Sequence, residues 1–212
     1  NMFRGCTSLE KAPDLPAMTL APNCYQWMFY GCIKLKEAPK LEAKSLERAC
    51  YNGMFYGCTS LTTAPDLPAT KLAISCYTSM FNKCSNLETG PKELPATELK
   101  ENCYNNMFGS CTSLNTVPEL PVSKLEKGCY SGMFFGCNNL SSVTMLATSD
   151  QITKDNLINW LGGAGKDVTT GRTLILKDQA AYDVLKTATT LLPTNWQTGK
   201  CNVKAADGSD IK

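Results

Sequence analysis

The 212-residue sequence contains no histidine. That absence removes the commonest general base, the commonest metal ligand and the side chain that titrates near neutral pH. Long apolar runs are also missing, so no segment is read as crossing a bilayer. Net charge is small: 21 Lys and Arg against 19 Asp and Glu give +2. No nucleic-acid partner and no general attraction to a membrane surface are expected from that balance. No secretory leader is visible. Asn1-Met2-Phe3 matches Asn106-Met107-Phe108, so the sequence reads as opening inside a repeat and as cut from something longer.

Catalytic patterns are scarce as well. Gly162-Gly163-Ala164-Gly165-Lys166-Asp167 resembles a phosphate loop, but Trp160 stands where its first glycine belongs and Asp167 replaces Ser or Thr. No Gly-x-Ser-x-Gly elbow occurs, and a cysteine nucleophile has no histidine to borrow. Asp14, Asp66 and Glu119 recur at equivalent places and read as a solvated row more than as a glycosidase pair. The chain is therefore not expected to be an enzyme, and no cofactor is expected.

Cysteine, by contrast, is abundant at twelve residues, which favours an oxidising, extracytoplasmic setting. Met-Phe recurs at residues 2, 28, 54, 80, 107 and 133, in steps of 26, 26, 26, 27 and 26. Around each pair runs Cys-Tyr-x-x-Met-Phe-x-x-Cys-x-x-Leu-x-x-Ala-Pro-x-Leu-Pro-Ala-x-x-Leu. The one long step has a visible source in Gly90-Pro91-Lys92-Glu93-Leu94, where a loop takes up an extra residue at small cost. Such a period is the mark of a repeat architecture. Cys24, Tyr25, Met28 and Phe29 are spaced as one side of a helical turn. Gly31, like Gly5, Gly57 and Gly136, is placed to end it. Leu61-Thr62-Thr63-Ala64 reads as a short strand with Leu61 and Ala64 inward. A single coil leaves its inward side chains open above and below, so coils are expected to stack, with Phe, Leu and Cys in continuous files.

The fold class expected is α/β, a solenoid of about 26 residues per coil with an α+β C-terminal cap. Residues 1–147 would form about five and a half coils and residues 148–212 the cap. Within the cap, a helix is expected from Ser149 to Trp160 with Thr153 at its N-cap, and a second from Asp178 to about Leu191. Strands are expected at Arg172–Lys177 and Cys201–Lys204. Trp160, Leu161, Leu185 and Trp196 are the candidates for covering the last coil.

These motifs carry a family likeness. Met54 to Leu61 (Met-Phe-Tyr-Gly-Cys-Thr-Ser-Leu) resembles the Ala-Phe-x-Gly-Cys-x-Ser-Leu hallmark of BspA-like leucine-rich-repeat proteins. The Cys-Tyr before Met-Phe, and the ending Leu146-Ala147-Thr148, Asn159-Trp160-Leu161, Leu192-Pro193 and Trp196, resemble a Bacteroides-type subgroup. The resemblance implies secretion, display on a cell surface, as an outer-membrane-anchored lipoprotein for example, and adhesion to an extracellular protein or glycan. A monomer is expected.

Two features bear on that role. The variable strand positions form a candidate binding stripe: Glu10-Lys11, Lys36-Glu37, Thr62-Thr63, Glu88-Thr89, Asn115-Thr116 and Ser141-Ser142. Trp27, Tyr30, Ile33 and Tyr56 are candidate exposed anchors, since aromatic residues often dominate interfaces. A structural spacer is the alternative role, and a carbohydrate-active accessory or enzyme a weaker one.

The cysteines recur at spacings of eight and eighteen or nineteen, unlike Cys-x2–4-Cys zinc knuckles, so no metal site is expected. Within-coil bridges are favoured: Cys24–Cys32, Cys50–Cys58, Cys76–Cys84, Cys103–Cys111 and Cys129–Cys137. Bridges between coils (Cys6–Cys24, Cys32–Cys50 and onward, ending with Cys137–Cys201) and a ladder of buried free thiols stay open. Loop entropies of about 2.6 and 3.2 kcal/mol do not separate the two bridged schemes.

Overall fold

The computed structural model describes residues 2–122 and 124–212. Among them, no regular helix or strand precedes Ser142. The helical turn expected over Cys24 to Phe29 is instead a run of tight turns, and the reason lies in where its amides go. Cys24, Gln26, Met28, Tyr30 and Cys32 each donate to the carbonyl three residues back, at 3.1–3.3 Å. The residues between them do not. Asn23, Tyr25, Trp27, Phe29 and Gly31 donate to Arg48, Cys50, Asn52, Met54 and Tyr56 of the next coil, at 2.8–3.0 Å. An α-helix keeps every interior amide for itself and leaves none for a neighbour.

This alternation requires a left-handed residue every fourth position. Asn23, Trp27 and Gly31 have φ of 59°, 53° and 70°, and the same places recur at Ala49, Gly53 and Gly57 and in each later coil. The recurrent glycine therefore does not end a helix. It is the third of three left-handed corners per coil, and Lys83 occupies the equivalent corner with φ 62°.

Stacking then aligns the interior. Phe3, Phe29, Phe55, Phe81, Phe108 and Phe134 lie in one file with ring centroids 5.5–5.8 Å apart and planes within 8°. Tyr25, Tyr51, Tyr77, Tyr104 and Tyr130 form a second file at 5.7–6.0 Å. Leu61 and Ala64 point inward as expected, and the equivalent leucines Leu35, Leu87, Leu114 and Leu140 are fully buried. The longer step is absorbed in the loop. Lys92 and Glu93 are exposed, Gly90 donates to the Thr116 carbonyl at 2.8 Å, and Phe81 and Phe108 keep a 5.5 Å spacing.

None of the five within-coil bridges forms: all twelve cysteines are free thiols, nine of them buried. The two cysteines of a coil join different files. Cys50 has Cys24 as its thiol neighbour, whereas Cys58 has Cys32 and Cys84. The second cysteine is engaged elsewhere. Cys32, Cys58, Cys84, Cys111 and Cys137 each donate their S–H to a phenylalanine carbonyl of the preceding coil, at 3.0–3.1 Å. Between-coil bridges are absent for the same reason. The ladder of packed thiols, small and apolar, is the arrangement present.

Toward the C-terminus the strand positions become a true sheet. Strands β1 (Ser142–Met145), β2 (Thr173–Leu176) and β3 (Asn202–Ala205) run parallel in that order, with Ser142, Thr173 and Asn202 in register. Both expected strands of this region are present, the first one residue shorter at each end and the second shifted by one residue. The first expected helix is not continuous: a 3-10 turn at Ser149–Gln151 and a short helix α1 (Lys154–Leu157) give way to coil-like turns. Tyr130, Gly132, Phe134 and Gly136 claim the carbonyls of Asn156, Ile158, Trp160 and Gly162. Thr153 precedes α1 without a side-chain cap bond. Helix α2 (Gln179–Leu185) begins with Asp178 accepting from the Ala181 amide, as expected. It stops early, and beyond it the Thr190 carbonyl accepts from Asn159 and the Leu191 carbonyl from the Trp160 indole.

Trp160, Leu161, Leu185 and Trp196 are fully buried. The outer edge of β3 is covered by the chain's own return, with Ala205 donating to Ser209 and Ile211 to Val203, which leaves no open ladder there. Arg172 is also buried, and its guanidinium donates to the carbonyls of Asn195 (2.9 Å), Gly165 (3.0 Å), Lys200 (3.1 Å) and Val168.

Two substitutions test this description. Phe81→Ala empties one rung in mid-stack and is expected to cost about 3–5 kcal/mol. Arg172→Lys loses the planar fork and leaves buried carbonyls unpaired, at a cost of about 2 kcal/mol. Thermal melts followed by circular dichroism measure both, and unchanged midpoints would contradict the packing described.

Candidate functional site

The strand positions singled out from the sequence come together as one stripe. Parallel bridges join Lys11 to Glu37, Thr63 to Thr89 and Thr89 to Thr116. Lys36 donates its amide to the Glu10 carbonyl, Glu88 to Thr62 and Asn115 to Glu88. These backbone bonds leave the side chains free to face solvent. Glu10, Lys11, Lys36, Glu37, Thr62, Thr63, Glu88, Asn115 and Thr116 are exposed, and Thr89 is half-buried. Ser141 and Ser142 continue the stripe into β1.

Its electrostatics are mild. Lys36 Nζ lies 2.9 Å from Glu10 Oε2. The hydrogen bond and charge of Lys36 lower the Glu10 carboxyl, and Glu10 raises the Lys36 ammonium in return. Both groups are on the surface, where such pairs stabilise little. Thr116 donates to Asn115 Oδ1 at 2.8 Å. The stripe thus grades from charged at one end to hydroxyl and amide at the other.

The aromatic candidates gather on a different face, the run of turns. Tyr30 stacks on Tyr56 at 4.8 Å, and Trp27 lies 6.3 Å from Tyr30. Trp27 rests on Gly53, where a Cβ would fall 2.2 Å from its ring. Its indole donates to Asn52 Oδ1 at 3.1 Å. Ile33 is exposed beside them in sequence but makes no part of the stack. Sequence reasoning missed two partners. Arg4 lies over both Trp27 (4.9 Å) and Tyr30 (4.8 Å), and Lys83 lies over Tyr56 (5.6 Å). Lys83 carried a signal, since it stands where four other coils have glycine.

Open grooves of about 570 and 520 Å³ lie along a third face, that of the proline loops. Glu119 lines the first and Asp66 the second, both exposed and unenclosed. Among the described residues, no cluster of Cys, Asp or Glu could hold a metal ion. No helix among them is long and apolar enough to cross a membrane.

The thiols are chemically quiet. Burial pushes Cys50, Cys76, Cys84 and Cys129 up to about 12 from 9.0. Because the thiolate is the nucleophile, these groups are inert near neutrality. Native alkylation is expected to label Cys6 and Cys24 first, Cys201 more slowly, and the nine buried thiols only after denaturation. Peptide mapping without reductant would reverse this if cystine peptides appeared. The same shifts set a pH dependence. An unfolded thiol ionises near pH 9 and the folded one near 12, so the unfolded chain sheds protons first. Stability from this source is whole below pH 9 and falls as pH rises to about 12, which denaturant titrations at pH 8 and 10.5 would show as a lower midpoint at the higher pH.

No curated protein matches the chain. The family described as the BspA type Leucine rich repeat region matches it in 6 copies, over residues 1–107 and 51–159. With its aligned files of phenylalanine, leucine and cysteine, the chain belongs to the BspA-type leucine-rich-repeat family.

Proposed function

We propose that residues 1–147 form a leucine-rich-repeat solenoid, that residues 148–212 cap it, and that the whole is a binding module displayed outside the cell. The partner is an extracellular protein or glycan held on the strand stripe. One observation carries this reading: the backbone of every coil is tied to its neighbours, yet the side chains at one strand position, exposed in all but Thr89, change from Lys11 to Glu37 to Thr63, Thr89 and Thr116. The leucine just before them is fully buried in Leu35, Leu61, Leu87, Leu114 and Leu140. A rigid scaffold with an independently variable face is what recognition uses. Family membership supports the same role, as do the buried thiols, which need no disulfide to be stable at a surface. A closed last edge and a fully buried Trp160 and Trp196 support the cap.

The test is a screen of the purified chain against extracellular matrix proteins and a glycan array, repeated with Thr63→Arg, Thr89→Arg and Thr116→Arg combined. A captured partner is expected to lose at least tenfold in affinity with the melting midpoint little changed. A partner bound equally well by the triple variant, or no partner at all, would overturn the assignment.

A further inference from the structure

The run of turns has an unusual charge pattern. Between Arg4 and Lys83, residues 2–9, 23–34, 49–60 and 75–86 contain three charged side chains, Arg4, Lys34 and Lys83, and every one is cationic. Carboxylates enter the coil-to-coil turn ladder only beyond this stretch, at Glu101 and Asp155. Uncharged polar groups accompany the two cations on the aromatic stack: Asn52 accepts from the Trp27 indole, and Asn82 precedes Lys83 in the chain. Trp27 is a second departure. At its corner the other coils carry Gly53, Ser79, Asn106 and Gly132, residues suited to positive φ. A bulky side chain there is a backbone outlier, and strain of this kind gathers at functional positions.

We infer that the turn face from Arg4 to Lys83 binds an acidic carbohydrate. This rests on the reading of the chain as a binding module, and it names both a second face and a ligand class. Arg4 and Lys83 stand three coil steps apart, roughly 15 Å at about 4.8 Å per step, and bracket Tyr30 and Tyr56. The faces of those rings are already covered by each other and by the cations. What remains for a ligand is a line of ring edges, amides, hydroxyls and two positive ends. That suits a short oligosaccharide bearing carboxylate or sulfate groups, whose hydroxyls pair with the amides while its anions meet the cations. A single-stranded nucleic acid fits less well: its bases call for open ring faces to stack on, and those of Tyr30 and Tyr56 are already covered. A protein partner would call for a larger apolar centre than this face offers.

The experiment measures binding of a heparin hexasaccharide, a polygalacturonate fragment, neutral maltohexaose and a single-stranded oligonucleotide to the whole chain. Three forms are compared: wild type, Arg4→Gln with Lys83→Gln, and Trp27→Gly. Glycine relieves the backbone at residue 27, so loss of binding there is not loss of fold. The expected result is capture of one or both acidic sugars, weaker in high salt, at least tenfold weaker in both variants, with no capture of maltohexaose. Equal binding of the neutral sugar, tighter binding of the oligonucleotide, or indifference to all three substitutions would overturn the proposal. The stripe substitutions keep the two readings apart. If they alone abolish capture, the turn-face site fails and the binding module stands; if wild type captures nothing on either panel, both fail.

Discussion

Every second amide of the turn run is given to the next coil, and the rest of the molecule follows from that division. Between them the two kinds of bond satisfy the backbone locally and across the stack, which a buried chain without helices or long strands must achieve somehow. They also hold the coils at hydrogen-bonding distance, so equivalent residues have no choice but to meet. The phenylalanine rings at 5.5–5.8 Å and the tyrosine rings at 5.7–6.0 Å are consequences of that spacing. So is the corner composition, because a left-handed residue every fourth position favours Gly, Asn and Ser.

A backbone satisfied in this way frees the surface. Each coil presents a strand edge, a run of turns and a proline loop, and each can change chemistry without disturbing the files inside. The strand stripe varies between charged and polar. The turn windows between Arg4 and Lys83 carry cations and no carboxylate. The loop face holds the length variation, as Lys92 and Glu93 show. Interior cysteine fits the same logic: a thiol is small enough to repeat in every coil, and its S–H reaches a phenylalanine carbonyl of the coil before. Burial that makes it inert also removes the need to pair it.

An array of this kind has an end to close. Trp160 takes the place that methionine holds in the coils before, since the Phe134 amide bonds to its carbonyl as the Phe108 amide does to that of Met133. The region beyond it keeps the parallel register through β2 and β3, then folds back along the last edge. Arg172 gathers four carbonyls that have no strand or helix partner, a use of its rigid fork that needs no carboxylate.

From the sequence alone came the 26-residue period, the inward leucines, the files of Phe, Leu and Cys, the strand stripe, and the strands and N-cap near the C-terminus. Periodicity reports which side chains share an environment, and that suffices for these. It does not report where an amide sends its proton. The spacing of Cys24, Tyr25, Met28 and Phe29 is the same for a helical turn and for a chain of tight turns, and only contact with the neighbouring coil chose between them. Cysteine pairing was undecided for a related reason: spacing along the chain is silent on whether two thiols face each other or lie in separate files. The grouping of Arg4, Trp27, Tyr30, Tyr56 and Lys83 was hidden too, since residues about 26 apart become neighbours only when coils stack at hydrogen-bonding distance.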